Sequence, residues 1–383
     1  MKISTNSNSN SKVALVVALL LYFRCQPFFL WGVEDISRIT CSILVPLLCI
    51  HFIDLSKKNI IVFTFFFLSF LLVGILRGSD PFRILNLVLL SVIPILKKDF
   101  GFQVYKYFKF IFAFLLIFSV ISYLIVILTN WQSPIIINPL NSLKGYSYFL
   151  YPLLVVPNAD YLFYRFHGLF DEPGVVGTIG GLILCIEKFK IKSWQNIVIL
   201  IASLLSFSFY FYVVLFFVSV YHFNGKYRIY IILAFITFYL ISSANDTIDG
   251  LIWSRFSVDT DNNTLAGMNR GEEQIKDILQ ADSISNYLLG HGYQASEEFM
   301  EGASIYLTIF REGFLFVVLN LLGYLIAAFN KLFQSKADFI LFILILVGTF
   351  YQRPALFDFV YIFLFATMIN KFASDVELIN NEL

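Results

Sequence analysis

The residues with the clearest chemical potential are polar side chains set into an otherwise apolar chain. The segment "RFHGLFDEPG" holds Arg165, His167, Asp171 and Glu172 close together. Further arginines occur in other polar segments: Arg77, Arg83, Arg270, Arg311 and Arg353. A guanidinium is a fixed planar fork that binds phosphate or carboxylate through two parallel hydrogen bonds. These arginines therefore predict a site for a phosphate-bearing or acidic ligand.

The composition predicts an integral membrane protein. Of the 383 residues, 58% are hydrophobic and only 14% are charged. Apolar runs of helix-spanning length recur from Val13 to Lys371, and a bilayer core needs roughly 20 apolar residues per helix. We expect one all-α polytopic membrane domain over residues 1–383, with about twelve transmembrane helices. The net charge of +1 gives no indication of a nucleic-acid partner.

Lysine-rich joints orient these helices, because short cytoplasmic loops carry an excess of positive charge. This rule places both termini in the cytoplasm, with two extended extracytoplasmic loops at residues 130–172 and 244–302. It also requires a break near Ser206 and Ser208 in the apolar stretch 193–223. Lysine-rich joints lie at both ends of that stretch, and a single crossing could not place both of them in the cytoplasm. The predicted spans are 13–31, 36–54, 59–76, 82–96, 107–129, 173–187, 194–206, 208–222, 227–243, 303–330, 338–350 and 356–370.

Lysine and arginine are sorted differently by this topology. Lysines fall in the cytoplasm except for Lys144 and Lys276, whereas arginines fall outside or in the membrane except for Arg228. Lysine and arginine would both satisfy the rule in a cytoplasmic loop, so topology does not explain why the arginines lie outside. Their excess there favours binding of an anionic ligand. The alternative is that these arginines pair with the acidic residues around them, most of which also fall outside.

Local signals place two helix boundaries near the candidate residues. Pro173 suits the first position of a helix, with Glu172 at or near the cap. The alternative role of Asp171 and Glu172 is to cap that helix and pair with Arg165. Gly177 and Gly181 permit close helix packing. In the larger loop, "GMNRGEEQIKDILQAD" predicts an amphipathic helix that lies at the membrane interface, with an apolar stripe and Arg270 at its start.

Two segments carry a resemblance to a known family. "RFHGLFDEPGVVG" and "LLGHGYQASEEFMEGASIYLTIFREGFLF" resemble the signature segments of the O-antigen and capsular polysaccharide polymerases, which are related to the O-antigen ligases. The number of spans and the two outer loops are similar too. Ligases tend to have a His-Asn pair before the late helix, where Ala303 and Ser304 stand here. The resemblance therefore favours a polymerase.

The resemblance implies glycosyl transfer on the outer face of a bacterial inner membrane. The substrate would be an oligosaccharide on undecaprenyl pyrophosphate, and a chain-length regulator protein is an expected partner. Guanidiniums can stabilise the departing pyrophosphate without a metal or other cofactor; the candidates are Arg165, Arg270 and Arg311. Glu172 and His291 are the candidate bases for the acceptor hydroxyl, with His167 third. Further candidates for substrate binding are Arg77, Arg83, Arg353 and Tyr164.

Several of these residues have simpler roles open to them. His291 lies between two glycines in a loop, where it could equally make a structural hydrogen bond. Arg77, Arg83 and Arg353 could cap helices, and Tyr164 could belong to an interfacial aromatic belt. For the whole protein the alternatives are an O-antigen ligase and a flippase or transporter. Transporters typically show related halves, and this sequence shows no such similarity.

Overall fold

The computed structural model is mostly helical. It describes residues 7–76, 88–139, 146–158, 165–222, 272–292, 305–331, 335–352 and 358–380, with short pieces at 85, 229, 232–233, 236–237, 239–240, 258–259, 264–265 and 333. The chain folds into two compact units. The first contains Met1–Arg24, Val33–Phe108 and Arg270–Leu383, and the second contains Cys25–Gly32 and Lys109–Asn269.

The α-helices of the described residues begin and end as follows: α1 Ser7–Arg24, α2 Glu34–Cys49, α3 Lys57–Leu76, α4 Lys98–Thr129, α5 Pro173–Ile186, α6 Trp194–Leu205, α7 Phe209–His222, α8 Glu272–Ala281, α9 Ile284–Leu289, α10 Ile305–Glu312, α11 Phe314–Asn330, α12 Lys336–Gln352 and α13 Phe359–Asn380. Short 3₁₀ helices lie at Phe28–Val33, Ile50–Phe52 and Ile93–Ile95. The strands are β1 Ile136–Ile137, β2 Ser147–Tyr151, β3 Leu154–Asn158, β4 Val258–Asp259 and β5 Thr264–Leu265.

The first unit is built around the packing of α3 against α11. A β-carbon on Gly323 would lie 2.8 Å from the ring of Phe66, so the glycine lets the two helices approach closely. The buried amide of Asn320 donates to the Ser69 hydroxyl at 2.9 Å, which satisfies one polar group in this apolar interface. At the end of α1, Arg24 pairs with Asp358 at 3.1 Å.

The second unit combines helices with a small sheet. Strands β1, β2 and β3 form an antiparallel sheet in that order within the segment 130–172, which the sequence analysis treated only as a loop. Residues 154–156 of β3 are buried. The turn between β2 and β3 is fastened to α4, because Ser122 donates to the Pro152 carbonyl at 2.7 Å. Lys109 of α4 pairs with Glu187, after the end of α5, at 3.0 Å.

Several predicted helix boundaries are confirmed in the second unit. Helix α5 begins at Pro173 with Glu172 as its N-cap, because proline has no N–H to leave unsatisfied and its φ already suits a helix. Helix α6 ends at Leu205 and α7 begins at Phe209, which confirms the break near Ser206 and Ser208.

The glycine prediction for α5 is half correct. A β-carbon on Gly177 would lie 2.2 Å from Cβ of Ser208, so this glycine is required for close packing. A β-carbon added to Gly181 would make only ordinary contacts, the nearest at 3.5 Å to the Phe211 ring. The second close approach is instead at Gly180, 2.1 Å from the Ser203 hydroxyl oxygen. The packing face of α5 thus follows a spacing of three residues, not four.

The number of helices that could cross a membrane is smaller in the described residues than the sequence predicted. Helix α4 is long and apolar enough to do so by itself. Two strongly bent pairs, Asn10–Arg24 with Phe28–Phe52 and α10 with α11, would raise the number to three if each pair formed one span. Other apolar helices, including α5, α6 and α7, are shorter. The expected count of about twelve is not confirmed.

Candidate functional site

A histidine and an aspartate form a pair in the first unit. Nε2 of His291 lies within hydrogen-bonding distance of Oδ2 of Asp282. The Asp282 side chain is 8% exposed and that of His291 is 23% exposed. A largely covered carboxylate beneath a partly accessible imidazole is the arrangement in which the carboxylate orients the ring and the ring meets a ligand.

The start of α9 holds Asp282 in place. Ser283 is the N-cap of this helix, and its hydroxyl accepts from the Asn286 N–H. Oδ1 of Asp282 accepts from the Ser283 N–H at 3.2 Å and from the Asn286 side-chain amide at 3.1 Å. One carboxylate oxygen is therefore used for anchoring and the other faces His291.

The end of α10 holds His291 from the other side. The N–H groups of His291 and Gly292 donate to the carbonyls of Phe310 and Arg311 at 2.7 and 3.1 Å. The imidazole also stacks on the Phe310 ring, with centroids 4.4 Å apart and planes 21° apart. Backbone bonds and ring stacking together leave the imidazole little freedom to rotate.

Arg311 lies in the last turn of α10, next to this loop. The predicted span over 303–330 is not one continuous helix. The chain bends by 111° between α10 and α11. The bend occurs at Gly313, whose φ of +82° is costly for other residues. The structure thus brings Arg311 to a helix end, in the same neighbourhood as His291.

The Asp282 carboxyl is ionised at neutral pH. Burial acts to raise its pKa, but the hydrogen bonds from His291 and Asn286, the charge of His291 and the Ser283 N–H outweigh burial. The net result is a pKa below the ordinary value of an aspartate. Asp282 therefore accepts the hydrogen bond from Nε2, which leaves Nδ1 of the imidazole as the nitrogen able to take a proton.

Arg165 has a different environment, in the second unit. Its Nε and Nη2 donate to the carbonyls of Ser206 and Phe207 at 3.1 and 2.9 Å. The neighbouring Phe166 N–H donates to the Leu205 carbonyl at 3.0 Å. Helix ends leave such carbonyls without helical partners, and a cation there also suits the helix dipole. Arg165 thus holds the break between α6 and α7.

His167 and Asp171 are buried, at 5% and 8% exposure. The His167 ring packs edge-on against Tyr148, with centroids 5.7 Å apart. The Tyr148 hydroxyl donates to the Asp171 backbone carbonyl at 2.6 Å. Burial raises the pKa of Tyr148 far above its ordinary value, and the charge of Asp171 adds to this rise, so the phenol stays protonated as a donor. This cluster fixes the chain just before α5.

Glu172 is half-buried at the start of α5, and its side chain accepts no capping hydrogen bond from that helix. The carboxylate lies at the positive end of the helix dipole, as the sequence predicted. Together with Arg165 and His167, it belongs to the second unit, whereas His291 and Arg311 belong to the first. The other candidates lie outside the described residues: Arg77, Arg83, Tyr164, Arg270 and Arg353.

Sequence reasoning missed Asp282. The only signal was the segment "DSISN", in which an aspartate and a serine precede a short helix. That pattern indicates helix capping, but it does not reveal that the second carboxylate oxygen faces a histidine. Across the described ranges, no cluster of three or more His, Cys, Asp or Glu side chains is arranged to hold a metal ion.

Comparison with known proteins adds no assignment. The chain matches no family model, no curated protein and no solved structure. A function for it is therefore argued from its own residues.

Proposed function

We propose that this protein is a polysaccharide polymerase of a bacterial inner membrane. It crosses the membrane about twelve times, with both termini in the cytoplasm and with the segments 130–172 and 244–302 on the outer face. Its substrates are oligosaccharide repeat units linked to undecaprenyl pyrophosphate, and its product is an O-antigen, capsule or exopolysaccharide. A chain-length regulator protein is its expected partner. The lysine and arginine distribution and the apolar helices support this placement.

One observation carries the proposal: the loop with His291 is hydrogen-bonded to the helix end that carries Arg311. A proton acceptor and a cation therefore occupy one neighbourhood in a chain that is only 14% charged. Transfer of a glycan from a lipid pyrophosphate to a sugar hydroxyl needs both groups. The hydroxyl must lose a proton, and the pyrophosphate gains charge as it leaves.

In the proposed reaction, the acceptor hydroxyl oxygen attacks the anomeric carbon of the donor glycan and forms the new glycosidic bond. The bond from that carbon to the pyrophosphate oxygen breaks, and its electron pair leaves with undecaprenyl pyrophosphate. The hydroxyl proton passes to Nδ1 of His291 and then to water. Arg311 stabilises the charge on the leaving pyrophosphate, because a guanidinium is charged at any physiological pH.

The test is a gel of surface polysaccharide from the native host, from its deletion strain and from the complemented strain. Loss of long chains, with a single repeat unit still attached to its normal acceptor, is the expected result. Loss of every attached unit together with accumulation of long lipid-linked chains would indicate a ligase instead. An unchanged pattern would contradict the polymerase and favour a transporter of another substrate. Loss of all surface polysaccharide, with lipid-linked single units retained on the cytoplasmic face, would favour a flippase.

A further inference from the structure

We infer that Asp282 is the positioning residue for His291 as the base of this reaction. The inference rests on the proposed function and favours His291 over the other candidate bases, Glu172 and His167. Asp282 has no substrate contact of its own in this role. It holds the imidazole so that Nδ1 receives the acceptor proton, and its negative charge stabilises the imidazolium that forms.

The contacts of the imidazole support a positioning role for Asp282 and a proton-accepting role for Nδ1 of His291. Nε2 faces Asp282, and one face of the imidazole stacks on the Phe310 ring. The backbone N–H of His291 donates to the Phe310 carbonyl. Within the part of the chain that the structure describes, no group hydrogen-bonds to Nδ1 of His291. The imidazole is thus held at Nε2 and on the face that stacks on Phe310, while Nδ1 keeps its lone pair for a proton.

The carboxylate of Asp282 is itself well fixed, which a positioning residue requires. It accepts from Ser283 and Asn286 through Oδ1 and is nearly covered. Its contact with His291 links the start of α9 to the loop that follows α9. Because α9 packs against both α10 and α11, the pair is set on helices and not on a free loop.

Several charged groups lie on the elements around His291. Asp282 faces its ring directly. Helix α10, which is bonded to the same loop, carries Arg311 and Glu312. Helix α8, which packs on α10, carries Glu272, Glu273, Lys276 and Asp277. Asp277 is exposed and offers a matched aspartate outside the pair.

The first measurement is nitrogen NMR of the full chain in detergent, labelled at its histidines. His291→Asn identifies the His291 signals. The wild type should show predominantly the tautomer with the proton on Nε2, because only a protonated Nε2 can donate to Asp282. Asp282→Asn should change the ratio of the two tautomers, whereas Asp277→Asn should leave it unchanged. Unchanged signals in Asp282→Asn would overturn the inference, and they do not depend on any activity.

The second measurement is elongation by the purified full chain of lipid-linked repeat units isolated from the deletion strain. His291→Asn should slow elongation about 100-fold, the range of general base catalysis. Asp282→Asn should slow it by about tenfold or more and change its pH profile. Asp277→Asn should keep the wild-type rate and profile. Asp282→Glu retains the carboxylate and should restore the wild-type profile, even if Asp282→Asn folds poorly.

The outcomes separate the two proposals. If the wild-type chain does not elongate lipid-linked units, the polymerase function itself is wrong. If the wild type elongates them and His291→Asn and Asp282→Asn do so at the same rate, the polymerase stands and the inference is overturned. Loss of elongation in Glu172→Gln alone would then assign the base to Glu172.

Discussion

The guanidinium of Arg165 donates from Nη2 to the backbone carbonyl of Phe207 at 2.9 Å. A second bond runs from Nε to Ser206. The planar fork therefore spans two successive carbonyls at the point where α6 ends. The geometry that makes arginine suitable for phosphate is used here on the protein's own backbone. Arg165 is thereby tied to the stability of the second unit, whatever further ligand it meets.

Replacing Arg165 by lysine should destabilise the protein. Lysine carries a point charge without a fixed fork, so it can retain at most one of the two bonds. We expect a loss of about 1.5 kcal/mol in the free energy of unfolding, the contribution of one hydrogen bond to a charged group. Thermal unfolding of the purified variant in detergent measures this.

The control is Arg38→Lys. Arg38 lies on α2 and makes no hydrogen bond or ion pair with the described residues. Its replacement should leave the melting temperature unchanged. If Arg165→Lys melts like the wild type but elongates no lipid-linked units, the arginine serves the substrate and not the fold.

The packing of α5 distinguishes two glycines that look alike in sequence. Gly177→Ala should cost about 1–3 kcal/mol of stability through overpacking, because its β-carbon would lie 2.2 Å from Ser208. Gly181→Ala has room and should be neutral, or stabilising by up to about 1 kcal/mol through helix propensity. Melting curves of the two variants check this. Equal melting temperatures would contradict the close contact at Gly177.

The bend at Gly313 depends on both conformation and space. An alanine there would have a φ of +82° and a β-carbon 2.4 Å from the Leu288 carbonyl oxygen. Gly313→Ala should therefore lower stability by more than the roughly 1–2 kcal/mol of backbone strain. It should also slow elongation, since Leu288 adjoins the loop that carries His291.

Two other glycines separate these effects. Gly292 has a φ of +91° and nothing within 4 Å of an added β-carbon. Gly292→Ala should therefore lose stability through backbone strain, without a steric clash. Gly101, within α4, has open space and no positive φ. Gly101→Ala should be neutral, or stabilising by about 0.5–1 kcal/mol. Melting temperatures in the order Gly101→Ala, Gly292→Ala, Gly313→Ala, from highest to lowest, are expected.

Acid should weaken the pair of Asp282 and His291. The pKa of Asp282 is lower in the folded protein than its ordinary value. Its contribution to stability is therefore complete above the ordinary aspartate pKa of about 3.9, and it is lost as the pH falls through the folded value. The difference in melting temperature between the wild type and Asp282→Asn should shrink as the pH falls below about 4. A difference that persists or grows in acid would contradict this.

Much of the local structure follows from the sequence, because short-range chemistry decides where helices begin and end. Pro173 opens α5 because its φ is already helical. The amphipathic helix predicted in the larger loop is confirmed as α8, and its stripe is buried in the protein at Ile275 and Leu279. The charges that flank residues 194–222 predicted the break that Ser206 and Ser208 occupy. The first two signals act within a few residues of their effect, and the third acts through the loops at the two ends of one apolar stretch.

The sequence by itself therefore determined the helical character, the ends of α5, α6 and α7, and His291 and Arg311 as candidates. Only the tertiary structure decided the bend at Gly313, the pairing of Asp282 with His291, and the use of Arg165 on backbone carbonyls. The partners in these contacts lie on other segments. Backbone carbonyls are present at every residue, so a sequence does not reveal which of them Arg165 will bind. The sequence likewise does not reveal that Asp282 orients His291, because the two groups meet only in the folded chain.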